Sequence, residues 1–70
     1  MQFFIYPDGS IFTSAQENMS DDFFVIDTSK PVEKTKVFIE TIVELNFGKT
    51  KQAKAVIEEL LYRIMVEDDL

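Results

Sequence analysis

Gly48-Lys49-Thr50 is the one short motif with chemical promise, because Gly, Lys and a hydroxyl residue before a helix end a phosphate-binding loop. Such a loop needs another glycine five residues earlier, so that backbone N–H groups can turn towards phosphate. That position is Val43, inside a helical pattern. The triplet therefore reads as a turn between two helices, with Thr50 as a cap. The chain holds no His and no Cys. That removes imidazole acid–base work, thiol nucleophiles, and zinc or copper sites with nitrogen or sulfur ligands. A serine nucleophile would need a lysine base, and no Ser-x-x-Lys spacing occurs. Asp21-Asp22, Glu58-Glu59 and Asp68-Asp69 pair acids in sequence. Adjacent side chains diverge by about 100° on a helix and about 180° on a strand, so no such pair converges on one substrate atom. An oxygen-only magnesium or calcium site has no loop pattern behind it. The expectation is a protein that is not an enzyme, with no catalytic residue, cofactor or metal.

Charge is arranged in blocks. The net charge is −6. Residues 1–29 carry Asp8, Glu17, Asp21, Asp22 and Asp27 and no cation; residues 30–54 carry six lysines and three glutamates; residues 55–70 return to acid, with Arg63 the only cation. Lys49, Lys51 and Lys54 cluster at the start of the second predicted helix, as on a DNA-reading helix. A tight turn makes the helices antiparallel, so Lys30, Lys34 and Lys36 fall at the opposite end, roughly 20 Å away at ~1.5 Å per residue. Two separated clusters do not make a basic stripe, and direct nucleic-acid binding is disfavoured. The same geometry predicts that Glu67, Asp68 and Asp69 lie beside Lys30 and Lys34. Glu59 and Arg63 have the favourable order for a helical i,i+4 pair.

These residues must be positioned by a small α+β fold. Residues 2–6 are aromatic and β-branched, Tyr6-Pro7-Asp8-Gly9 suits a type I turn with Gly9 in a bulge, and residues 11–14 return. The hairpin pairs Ile5 with Ile11 and Phe4 with Phe12. The apolar run 23–26 between Asp22 and Asp27 predicts a third strand. Ser29-Lys30-Pro31 opens the first helix, along which Phe38, Ile39, Ile42, Val43 and Leu45 recur before Gly48 stops it. Ala53, Val56, Ile57, Leu60, Leu61 and Ile64 make the stripe of the second. The expected fold is a three-stranded antiparallel sheet (1–29) followed by an antiparallel helical hairpin (30–70) packed on one face, within a single domain.

Both faces of that sheet are apolar. Phe3, Ile5, Ile11, Phe23 and Val25 are assigned to the helix side, and Phe4, Tyr6, Phe12, Phe24 and Ile26 to the outer side. Exposed, the second set would form an aromatic patch larger than a small monomer leaves in water; the alternative is that strand twist and the 15–20 loop cover it. At 70 residues and 8.1 kDa, without disulfide or metal, a partner subunit is the remaining aid to stability. No run reaches the ~18–20 apolar residues of a membrane span, and residues 1–6 lack a basic lead. A cytoplasmic protein is expected. The functional expectation is a small interaction module, a regulator or inhibitor of the phage or mobile-element kind. It would bind a protein through the outer aromatic face and its rim of Asp8, Glu17, Asp21, Asp22 and Asp27, and would self-associate as a homodimer. Alternatives are an acidic mimic of nucleic acid and a weak DNA-binding module using the second helix.

Overall fold

The computed structural model describes residues 1–68. β1 (Gln2–Ile5), β2 (Ile11–Phe12) and β3 (Phe24–Asp27) form one antiparallel sheet in the order β2-β1-β3, followed by α1 (Lys36–Phe47) and α2 (Lys51–Asp68). The fold is α+β, with the strands first and the two helices after them. The β1–β2 turn closes with the Gly9 N–H donating to the Tyr6 carbonyl at 2.9 Å and the Tyr6 N–H to the Ser10 carbonyl at 3.0 Å. Gly9 takes φ +91°, a conformation that side chains resist. Phe4 pairs with Phe12 and Ile5 with Ile11, as the turn demands.

The start of the helical region differs from the sequence expectation. Pro31–Lys34 is a separate 3-10 turn, and α1 begins only at Lys36. Ser29 does not cap it, because the Ser29 hydroxyl donates to Asp27 Oδ1 at 2.7 Å. Thr35 caps instead, its Oγ1 accepting from the Phe38 N–H at 3.2 Å. The 3-10 turn covers part of the outer edge of β3, where the Asp27 N–H donates to Glu33 Oε1 at 3.0 Å. That contact blunts an edge otherwise open to another strand. At the other end of α1, Gly48 at φ +72° donates its N–H to the Glu44 carbonyl at 2.8 Å. Thr50 caps α2 by accepting from the Ala53 N–H at 3.1 Å.

The core lies between one face of the sheet and the hairpin: Phe3, Ile5 and Ile26 meet Ile39 and Val43 of α1 and Ala53, Val56, Leu60 and Ile64 of α2. Leu45 is not part of it and stands 76 % exposed. The end of α2 is tied back to the sheet. The Met1 carbonyl accepts the Thr28 N–H at 2.9 Å, and the Thr28 hydroxyl lies 3.1 Å from both that carbonyl and the Glu67 carboxylate, the stronger acceptor. Lys34 pairs with Asp68 at 3.6 Å, as antiparallel packing predicts, whereas Lys30 pairs with Glu33 at 3.5 Å and Glu67 with the Met1 ammonium at 3.7 Å. Asp69 lies outside the described residues.

Candidate functional site: the outer face of the sheet

The register of β3 decides what the outer face contains. Phe3 stands opposite Ile26, Phe4 opposite Val25 and Ile5 opposite Phe24. Cross-strand partners share a face, so Phe24 and Ile26 turn to the helices, and Phe23 and Val25 turn outward. The assignment of Phe24 and Ile26 to the outer face is thereby corrected. Ile26 is fully buried, and the Phe24 ring sits 6.2 Å from that of Phe47 on α1, edge to face. A one-residue difference in parity exchanges every side chain of a strand between faces. The signal was in the sequence: Asp27 closes the strand, and a carboxylate avoids the core, which sends 27, 25 and 23 outward together.

The outer face is Phe4, Tyr6, Phe12, Phe23 and Val25, and its aromatic rings form a layer of their own. Ring centroids lie 5.4 Å apart for Phe4 and Phe23, 5.2 Å for Tyr6 and Phe23, and 5.6 Å for Tyr6 and Phe12. The connection between β2 and β3 folds over one end of this layer. There Tyr6 is 1 % exposed, and its hydroxyl oxygen accepts the Gln16 N–H at 2.6 Å. The other end is open: Phe4, Phe12 and Phe23 are half-buried and Val25 is 37 % exposed. The loop alternative thus holds for Tyr6, and a smaller aromatic surface remains beside it.

The acids do not form one row. Asp8 and Asp22 line a shared cavity of about 400 Å³ beside Tyr6 and Met19, and Glu17 and Asp21 are exposed on the connecting loop. Asp27 sits at the opposite end of β3, roughly 17 Å of strand away from Asp22 at ~3.3 Å per residue. Two of these carboxyls are held below the ordinary range. For Asp8 the leading cause is the Ser10 N–H, which donates to Oδ1 at 2.9 Å. For Asp27 the leading cause is the Ser29 hydroxyl, followed by the Ser29 N–H at 3.0 Å.

The lysine cluster is differently placed. Lys49 and Lys54 line a groove of about 410 Å³ between α1 and α2, together with Lys36, Glu40, Glu44 and Glu58, and Lys51 is exposed in the first turn of α2. Acids interleave the cations, so the groove offers no continuous basic track for a phosphate backbone. Among the described residues, no group of three or more acids is placed to hold a metal ion, and no helix is long and apolar enough to cross a membrane. Comparison with protein-family models, with curated proteins and with solved structures gave no match.

Proposed function

We propose that this chain is a small non-catalytic interaction module, a regulator or inhibitor that acts by docking on another protein through the outer face of its sheet. The observation that carries the reading is an open aromatic surface on a segment whose charged side chains are all acidic. Phe4, Phe12, Phe23 and Val25 stay partly exposed, and residues 1–29 around them contain five acids and no Lys or Arg. Interface centres favour aromatic anchors inside a polar rim. The complementary partner presents apolar side chains ringed by Lys or Arg, and acidic borders steer such a partner at low salt.

Affinity capture followed by mass spectrometry tests this, with wild type compared against Phe4→Asp and Val25→Asp. Each substitution places a charge within the apolar contact. A partner retained by wild type and by a substitution on the exposed side of α2, such as Tyr62→Asp, but lost by both sheet-face variants, supports the reading. A partner held equally by both correctly folded sheet-face variants refutes it. Turnover in nuclease, esterase or phosphatase screens that tracks the purified chain and vanishes on replacing one acid refutes the non-catalytic part.

A further inference from the structure

We propose that α2 is also a self-association surface, on which a second copy of this chain packs its own α2 in the antiparallel sense. α2 buries one stripe, Ala53, Val56, Leu60 and Ile64. Away from it a second stripe runs through Ala55, Glu59, Tyr62 and Val66, at spacings of four, three and four residues. That is the spacing of a seam between two paired helices. All four are exposed, Tyr62 at 58 % and Val66 at 39 %. Beside the seam, Met1, Phe3, Tyr62 and Val66 line an apolar notch of about 260 Å³, and Met1 is 55 % exposed. An apolar strip of Met1, Phe3, Tyr62 and Val66 therefore lies along the end of α2, on the side of β1 opposite the open sheet face.

Charge selects the occupant. α2 begins with Lys51 and Lys54 and ends with Glu67 and Asp68. A parallel copy would set lysines against lysines at one end of the pair and acids against acids at the other. An antiparallel copy crossing between residues 60 and 62 instead brings the lysine-bearing start of one α2 towards the acidic end of the other. At the same crossing, Arg63 beside the seam of one chain comes level with Glu59 in the seam of the other, within about a residue at ~1.5 Å. Within one chain Arg63 Nε already donates to Glu59 Oε1 at 2.8 Å. Four of the five guanidinium N–H donors remain for the neighbouring copy. The Arg63–Glu59 pairing occurs twice under one two-fold axis, the condition for a closed, isologous pair. The helix, about 27 Å long at ~1.5 Å per residue, offers a contact at the small end of the range for stable interfaces.

Sedimentation velocity or light scattering at ~100 μM, where weak dimers populate, reads the outcome. Wild type should show twice the monomer mass at ~50 mM salt and fall towards monomer at ~1 M, as screened pairs release. Tyr62→Asp should be monomeric in both with an unchanged circular dichroism melt, since Tyr62 is exposed, and Phe4→Asp should dimerise like wild type. Arg63→Glu should weaken association about tenfold, from two symmetry-related pairs at ~0–1 kcal/mol each. The exchanged variant Glu59→Arg/Arg63→Glu should restore it. A wild type that stays monomeric, a folded Tyr62→Asp that still dimerises, association that salt does not weaken, or an exchanged variant as weak as Arg63→Glu each overturns the proposal. Loss of the dimer on Phe4→Asp but not on Tyr62→Asp would instead place the contact on the sheet face.

Discussion

Asp27 carries three duties within a few atoms. Its backbone N–H is closed off by Glu33, its Oδ1 accepts from Ser29, and its side chain shares the outward face of β3 with Val25. The Ser29 donors stabilise the ionised carboxylate and lower its pKa, as the Ser10 N–H does for Asp8. A carboxyl depressed in the folded state adds stability above its unfolded pKa, near ~4, and that contribution is lost as pH falls through the folded value. Both turns should therefore loosen below about pH 4 and be indifferent to pH across the neutral range. Ser29→Ala removes the leading cause at Asp27. Carboxyl titration by NMR should show the Asp27 midpoint rising towards the ordinary value while that of Asp8 stays in place. An Asp27 midpoint that does not move would show that the serine is not what holds it down.

At the scale of elements, two hydroxyl residues compete for one role. Ser29 stands two residues before Pro31 as a hydroxyl cap would, yet its hydroxyl is drawn back to Asp27. Lys30 precedes the 3-10 turn with no side-chain cap at all. Thr35, five residues past Lys30, makes the bond that opens α1. Thr35→Ala should cost about 1 kcal/mol in urea unfolding, the usual value of an N-cap. Ser29→Ala should cost measurably less. Equal losses would mean that Thr35 contributes no more to helix formation than the serine does.

For the whole molecule, the feature that governs exposure is the clasp between sheet and loop. Tyr6 lies under the β2–β3 connection, and its hydroxyl is the acceptor for the Gln16 amide. Tyr6→Phe keeps the ring and its packing but strips that acceptor. An amide left without a partner costs about 1–3 kcal/mol if it stays buried; the cheaper response is for the loop to lift. Amide exchange within residues 13–22 should accelerate while that of β1 and α2 is unchanged, and binding of an apolar dye to the uncovered aromatic layer should rise. If exchange in the loop matches wild type, the clasp is not what holds it down.

Local chemistry determined most of the framework. Pro7 and Gly9 impose the first turn and hence the pairing of β1 with β2, Gly48 and Thr50 impose the break between helices, and the spacing of Ile39, Val43, Val56, Leu60 and Ile64 sets their buried sides. These signals lie within a few residues of what they control, so they are legible in one dimension. Three matters were settled only by the tertiary structure. Sheet order put β1 in the centre, because β3 had to find a partner across a connection with no pattern of its own. Strand parity moved Phe24 and Ile26 inside and Phe23 and Val25 out, because a run apolar on both sides carries no alternation to read except at Asp27. The start of α1 shifted to Thr35, because a bond from the edge of β3 to Glu33, six residues on, holds Pro31–Lys34 in a turn of its own. Each of the three depends on contacts between elements, where local preference is nearly balanced and packing tips the result.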